Sequence, residues 1–176
     1  MNNALVSAME RGRIVSLTQF IAITGVATIV PLFHQQAITG PIVNATLFVA
    51  VMLLGARMAV LVGLIPSVIA LSVGTLPAPL APMVPYIMLS NAILIFAFDA
   101  VRKKNYWAAV AVASLLKFAF LFATSSVVIG LLLKQELAMS VSAMMSYPQL
   151  LTALLGGVLA FAFIRYQAAD GPDRLS

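Results

Sequence analysis

One stretch of the sequence, from Tyr106 to Lys134, constrains the fold more than any other. It is apolar almost throughout, and a transmembrane helix needs about 20 mostly apolar residues. Its interior carries a single charged side chain, Lys117. A lysine at the bilayer centre costs about 3 kcal/mol or more, so it is tolerated where it faces a wet cavity, a counter-ion or a ligand. The stretch therefore predicts a membrane-spanning helix that carries a functional residue.

The composition extends this prediction to the whole chain. The 176 residues are 62% hydrophobic and only 9% charged, whereas a soluble domain carries about 25% charged residues. We therefore expect an all-α integral membrane protein with a single domain. The absence of cysteine excludes thiolate metal ligands, disulfides and cysteine nucleophiles, and a single histidine argues against a multi-histidine metal or haem site. We expect no cofactor and no bound metal.

The apolar segments predict a bundle of six transmembrane helices. The expected spans cover residues 14–33, 42–55, 58–74, 85–101, 106–133 and 147–165, followed by a polar tail over 166–176. Gly40-Pro41 is typical of a turn, with Pro41 opening the second span. The four prolines between Pro77 and Pro85 predict an extended, stiff segment. Residues 135–146 are expected to form a short surface helix.

The charges of the loops predict the orientation of the bundle. The loops on one side carry eight basic residues: Arg11, Arg13, Arg57, Arg102, Lys103, Lys104, Arg165 and Arg174. On the opposite side Lys134 is the only Lys or Arg. We expect the protein to lie in the plasma membrane. The positive-inside rule then predicts that both termini are in the cytoplasm. We treat the net charge of +5 as this topology signal and expect no nucleic-acid partner.

The same orientation gathers most polar side chains in the outer half of the bundle. We predict a substrate site from eight of them: His34, Gln36, Asn44, Asn91, Lys117, Thr124, Ser125 and Gln149. In an antiparallel hairpin, residues equidistant from the turn share a depth, which sets Lys117 level with Asn91. Asp99 would lie roughly 13 Å from Lys117 along the helix axis, too far for a direct ion pair.

Each of these residues also has a structural alternative. His34 and Gln36 can be solvated loop residues, and Asn91 can bond a carbonyl of a neighbouring helix. The hydroxyls of Thr124 and Ser125 can bond carbonyls of their own helix. Lys117 can be a buried amine or reach the membrane interface. Because no acidic residue lies nearby in the sequence, its amine is expected to be unpaired, and its removal is expected to relieve a desolvation cost.

A stripe of small residues in the first span suggests a contact surface. Thr18, Ala22 and Gly25 follow one another at helical spacing, and small residues let a second helix approach closely. We predict that this stripe couples the chain to a partner protein. The alternative is packing inside the same bundle.

The chain resembles the substrate-binding S components of energy-coupling factor (ECF) vitamin transporters. The resemblance covers Ile14 to Tyr166, and its most specific parts are His34–Asn44, Pro77–Pro85 and the run from Leu116-Lys117-Phe118 through Thr124-Ser125-Ser126. It implies six spans, cytoplasmic termini, and a vitamin or similar small molecule bound under the loops of the outer face. It also implies a transmembrane coupling subunit and two ATPase subunits as partners.

Two details of the resemblance bear on partners and substrate. An alanine-rich motif on the first span contacts the membrane subunit in this family, and Ala22 and Gly25 approximate that motif here. The cobalt and nickel members begin with a metal-binding histidine, which this chain lacks. The resemblance therefore favours an organic substrate over a metal ion.

The function predicted from the sequence is substrate capture without catalysis. The chain has no Gly-x-x-x-x-Gly-Lys-Ser/Thr motif, so ATP would be hydrolysed by partner subunits. One alternative is an intramembrane enzyme, which would need an acid–base pair or a nucleophile positioned in the membrane. Another is a structural or assembly subunit that binds no ligand.

Overall fold

The computed structural model describes residues 3–33, 36–72, 78–132 and 141–169, and these ranges are helical without a strand. Six longer helices follow in chain order: α1 (Asn3–Ile29), α2 (Gln36–Leu54), α3 (Ala56–Ser72), α4 (Val84–Arg102), α5 (Tyr106–Leu132) and α6 (Tyr147–Ala169). Two 3-10 helices cover Val30–Phe33 and Ala78–Met83, and residues 141–145 are also helical. The all-α prediction is confirmed for the described residues.

Five of these helices, all except α3, are long and apolar enough to cross a membrane. The apolar part of α3, Ala56–Ile69, is shorter. Large apolar side chains such as Leu17, Phe96 and Phe122 are exposed on the outside of the bundle, where a bilayer would solvate them. These features fit a multi-pass membrane protein, and the count of six spans stays a prediction.

Two tight connections pair neighbouring helices as the sequence predicts. Gly55 joins α2 to α3 with φ of 81°, a left-handed conformation that favours glycine, and its N–H donates to the Val51 carbonyl at 3.2 Å. Residues 103–105 join α4 to α5, and the Asn105 side chain accepts the Ala108 N–H at 2.9 Å. Both connections lie at the same end of the bundle because the helices alternate in direction.

The predicted turn at Gly40-Pro41 is wrong. Helix α2 begins at Gln36 and continues through Pro41, so it starts six residues before the predicted boundary. Gly40 serves helix packing here. A Cβ on Gly40 would lie 2.7 Å from Cγ2 of Thr152 on α6, so the missing side chain lets α2 and α6 approach closely.

The extended conformation predicted for the proline segment is also wrong over its described part. Ala78–Met83 forms a 3-10 helix, which suits proline because the fixed φ of about −65° is close to that of a 3-10 helix. Pro85 lies in the first turn of α4, as predicted. Pro77 lies outside the described residues.

The outer bounds of the bundle also differ from the predicted spans. Helix α1 starts at Asn3, well before the span predicted from residue 14. Helix α6 continues to Ala169, so residues 166–169 of the predicted tail are helical. The segment 141–145, predicted on the surface, has Val141 and Met145 buried against Leu121. Apolar contact with α5 explains this difference.

The larger of two buried apolar clusters fills the end that carries the two tight connections. Phe48 on α2 meets Phe98 on α4 edge to face at 4.7 Å between ring centroids, and Phe98 meets Tyr106 at 5.5 Å. The Tyr106 hydroxyl donates to the Gly157 carbonyl of α6 at 2.7 Å. This aromatic group ties α2, α4, α5 and α6 together and leaves the opposite end free for a cavity.

Candidate functional site

A cavity of about 190 Å³ opens between the helices at the end opposite the aromatic group. Its walls come from the end of α1 with the 3-10 helix that follows, the N-terminal part of α2, the middle of α3, the first half of α4, the middle of α5 and the start of α6. The lining residues are Ala27, Pro31, Thr39, Gly40, Val43, Asn44, Leu47, Val62, Gly63, Pro66, Ser67, Val84, Ile87, Asn91, Lys117 and Gln149. Most are apolar, with a few polar groups among them, as is usual for small-molecule sites.

Lys117 lies at the base of this cavity. It is the central residue of the apolar segment Tyr106–Val128, with eleven residues on each side, and only 4% of its surface is exposed. Its Nζ donates to Oδ1 of Asn44 at 2.7 Å and to Oδ1 of Asn91 at 2.8 Å. Three helices, α2, α4 and α5, thus meet at one amine.

No carboxylate compensates this amine within the described residues. The ion pair found there joins Arg102 to Asp99 at 2.8 Å, near the opposite end of the bundle. The amine is nevertheless not isolated, because two amide oxygens accept its hydrogen bonds. A buried lysine can be held by oriented amide dipoles when each oxygen faces the amine.

Asn44 and Asn91 are themselves held by backbone groups. The Nδ2 of Asn91 donates to the Gly63 carbonyl of α3 at 3.1 Å. This is the bond to a carbonyl of a neighbouring helix that the sequence analysis gives as the alternative for Asn91. The Nδ2 of Asn44 donates to the Gly40 carbonyl at 3.0 Å and lies 3.5 Å from Oγ1 of Thr152. These bonds turn both amide oxygens toward Lys117, so the site is preorganised.

Two glycines let the helices come close enough for this arrangement. A Cβ on Gly156 would lie 2.6 Å from Cβ of Asn44 and 2.9 Å from two backbone atoms of α2. A Cβ on Gly63 would lie 3.3 Å from Cβ of Asn91. The positions of the two amides therefore depend on the absence of a side chain at Gly156 of α6 and at Gly63 of α3.

The structure brings four of the eight predicted site residues to the cavity: Asn44, Asn91, Lys117 and Gln149. Gln149 lies at the start of α6, and its Nε2 donates to the Met144 carbonyl at 3.0 Å. This bond connects α6 to the helical segment 141–145. The predicted equal depth of Lys117 and Asn91 is confirmed by their direct hydrogen bond.

Of the other four, Thr124 and Ser125 are described and do not line the cavity. The hydroxyl of Thr124 donates to the Phe120 carbonyl at 2.7 Å, and that of Ser125 to the Phe122 carbonyl at 3.1 Å. Ser125 follows Lys117 by eight residues, about 12 Å along the helix. His34 lies outside the described residues, and Gln36 is described only as the first residue of α2. A ligand role for these four residues stays a prediction.

The sequence reasoning missed Thr39, Ser67 and Thr152. Thr39 and Ser67 line the cavity, and Thr152 supports Asn44 while donating to the Gln149 carbonyl at 3.2 Å. A signal for Thr152 exists in the sequence. Gln149, Thr152 and Gly156 follow one another at helical spacing and form a face of polar and small residues on one helix. Gly40 and Asn44 form a similar face on another helix, and two such faces can pack closely in a membrane.

The small-residue stripe of α1 is only partly covered by the rest of the bundle. Thr18 and Ala22 are exposed, and a Cβ on Gly25 would meet no atom within 4 Å. The Thr18 hydroxyl donates to the Ile14 carbonyl of its own helix at 2.9 Å. Among the described residues, Ala22 lines a groove that α1 forms with α2 and α6, and no side chain packs closely on Gly25. The stripe is open to the membrane or to a partner.

The chain matches no protein-family model, no curated protein and no solved structure. The cavity and the hydrogen-bonded amine at its base are therefore the observations on which a function can be argued.

Proposed function

We propose that this chain is the substrate-binding S component of an ECF-type importer. It captures a small water-soluble vitamin or related metabolite at the outer face of the cell membrane, with six spans and both termini in the cytoplasm. The observation that supports this most directly is the cavity with Lys117, Asn44 and Asn91 at its base. A preorganised polar group in an otherwise apolar cavity is the usual design of a small-molecule site.

The cavity ends blind near the middle of the bundle, which favours capture over free passage. Its lining stops at Leu47, Val62 and Lys117. Beyond that level, Phe48, Ile95 and Phe98 are fully buried and fill the space between the helices. A ligand bound at Lys117 would have no continuous path to the other side, so release into the cytoplasm would require movement driven by other subunits.

The exposed stripe on α1 supplies a surface for such subunits. Thr18, Ala22 and Gly25 make a flat strip on a helix that is little buried by the rest of the bundle. We propose that a transmembrane coupling subunit docks there and links the chain to two ATPase subunits. Tight helix packing in a membrane uses small residues of this kind.

Mass spectrometry of the purified full-length protein tests the proposal. A capture subunit should retain a stoichiometric small molecule through purification and release it unchanged on unfolding. An intramembrane enzyme would convert that molecule on incubation, and a ligand-free assembly subunit would carry none. Uptake of the identified molecule should also require co-expression of the coupling and ATPase subunits, and uptake by the chain alone would contradict the proposal.

A further inference from the structure

The geometry at the base of the cavity points to one class of ligand. We infer that the site takes a small monocarboxylate, with its carboxylate on Lys117 Nζ and Asn91 Nδ2 and its body among apolar side chains. The inference rests on the proposed capture function and adds the chemistry of the captured molecule.

The first argument is the set of hydrogen-bond donors and acceptors at the base of the cavity that have no partner within the protein. Both amide oxygens already accept from Lys117, and both N–H groups of Asn44 have partners. Asn91 uses one of its two N–H donors on Gly63, so its second N–H is spare. Within the described residues, the base therefore offers an amine and an amide donor to the ligand, and each amide oxygen keeps one lone pair beyond its bond to Lys117.

The second argument concerns the amine in either of its two forms. As an ammonium, Lys117 has three N–H donors, of which the two asparagines take two. The third donor is then available to a carboxylate oxygen. As a neutral amine, Lys117 has a lone pair instead, and a carboxylic acid transfers its O–H proton to that lone pair. Both routes end in the same ammonium–carboxylate pair, whereas a primary amide or an amine lacks the charge that this pair needs.

The third argument is the balance of charge. Among the described lining residues, Lys117 is the one cationic side chain, and none carries a carboxylate. A monoanion on Lys117 leaves no net charge in the cavity. A phosphate monoester or a dicarboxylate would bring a second negative charge into an apolar, membrane-embedded site, where an uncompensated charge is strongly disfavoured. The single lysine therefore selects a monoanion.

The size and lining of the cavity describe the remainder of the ligand. A volume of about 190 Å³ equals the share of about six water molecules in the liquid. It lies below the range of about 300–1,000 Å³ that is usual for drug-sized ligands. Val43, Leu47, Val62, Val84 and Ile87 surround it. These side chains suit a compact ring or branched chain attached to the carboxylate.

Matched acid–amide pairs test this class directly. The probes are benzoate, nicotinate and cyclohexanecarboxylate, each against its primary amide, with benzylamine as a cation and phthalate as a dianion. Calorimetry on the purified full-length protein should show each acid binding at least about tenfold more tightly than its amide, equivalent to about 1.4 kcal/mol. Benzylamine and phthalate should bind more weakly than benzoate.

Three variants connect this preference to the lysine. Lys117→Met should reduce the acid-to-amide ratio to about one, and Leu116→Met, an exposed neighbour outside the cavity, should leave the ratio unchanged. Asn91→Asp is a second test that can be used if the Lys117→Met variant does not fold. It places an internal carboxylate beside the amine and should also abolish the preference for acids. A preference that persists in both variants at Lys117 and Asn91 would overturn the inference.

The molecule that co-purifies with the protein separates the two proposals. A bound monocarboxylic acid supports both. A bound neutral or cationic molecule, or amides that bind as tightly as acids, overturns the monocarboxylate inference and leaves capture intact. A protein that carries no small molecule and binds none of the probes overturns capture, and the inference that rests on it.

Discussion

The amine of Lys117 and the side-chain oxygen of Asn44 are 2.7 Å apart, although 73 positions separate the two residues in the chain. Asn44 is fixed in turn by the Gly40 carbonyl, by Thr152 and by the bare backbone of Gly156. Helix α6 thus determines where Asn44 lies, and Asn44 determines where the amine of α5 points. Packing between α2 and α6 is therefore part of the site.

This relationship predicts that Gly156→Ala disturbs both stability and ligand binding. The new Cβ would lie 2.6 Å from Cβ of Asn44 and 2.9 Å from Ala45 N and Pro41 O, and backbone atoms cannot give way locally. Overpacking of this kind costs about 1–3 kcal/mol. Thermal unfolding in detergent, followed through the single tryptophan, Trp107, should show the loss.

Gly25→Ala is the matched control for that substitution. Its Cβ would meet nothing within 4 Å, and alanine is the better helix former by about 0.5–1 kcal/mol. The control should therefore unfold at the same temperature as the wild type or slightly above it. Equal stability of the Gly156→Ala and Gly25→Ala variants would contradict close packing of α6 on α2.

Thr152→Val should weaken ligand binding with little effect on stability. Valine keeps the shape of threonine, but it removes the hydroxyl that links the Asn44 amide to the Gln149 carbonyl. Side-chain hydrogen bonds in membrane proteins average about 0.6 kcal/mol, so affinity should fall about threefold. Calorimetry with the co-purified molecule measures this change, and Thr152→Ser should bind more tightly than Thr152→Val. The reverse order would show that Thr152 contributes through its methyl group alone.

Part of the site could be predicted from the sequence because it depends on local geometry. Lys117 and Asn91 lie on two helices joined by a short turn, and counting residues from that turn sets them at one depth. Their hydrogen bond confirms this. The turn at Gly55 follows from a similar local rule. The lysine itself stands out because a charge in an apolar span has few structural explanations.

The contact between Lys117 and Asn44 could not be predicted in this way. It requires α2 to pack on α6, and that packing depends on which residues lack a side chain at the crossing. The sequence indicates a turn at Gly40 because it precedes Pro41, whereas its role in the structure is steric. The proline segment shows the same limit, since one proline φ is compatible with an extended chain and with a 3-10 helix.

The orientation of the bundle can be tested with cysteines, since the chain has none of its own. We expect cysteines placed at Asn3 and Gln167 to be protected from impermeant thiol reagents in intact cells. A cysteine at Gln135 should react. The reason is the excess of basic residues in the loops expected in the cytoplasm. Labelling at Gln167 from outside would contradict six spans with cytoplasmic termini.

The exposed stripe on α1 predicts a separation between ligand binding and transport. Ala22→Trp and Gly25→Trp should abolish co-purification with the proposed coupling and ATPase subunits and stop uptake. Calorimetry on the isolated chain should show unchanged affinity, because neither residue lines the cavity. Leu116→Trp, at an exposed position on α5, is the control for bulk added to the membrane-facing surface. Normal assembly of both α1 variants would exclude the stripe as the docking surface.

The last prediction concerns stability and reverses an expectation from the sequence. An unpaired Lys117 would make Lys117→Met neutral or stabilising. In the structure the amine satisfies Oδ1 of both Asn44 and Asn91, so the substitution leaves two buried oxygens without a donor. Each unsatisfied buried group costs about 1–3 kcal/mol. Lys117→Met should therefore lower the free energy of unfolding, and Asn44→Leu should lower it as well.

The triple variant Asn44→Leu, Asn91→Leu, Lys117→Met should recover most of that loss. With all three side chains apolar, none of the three leaves another without its partner, and replacing a buried polar cluster by apolar side chains of similar volume is often neutral or stabilising. Denaturant unfolding of the wild type, the single variants and the triple variant would measure the coupling. Losses that simply add in the triple variant would show that the three side chains do not act as one network. Recovery of stability together with loss of the bound small molecule would show that the network is maintained for binding and not for folding.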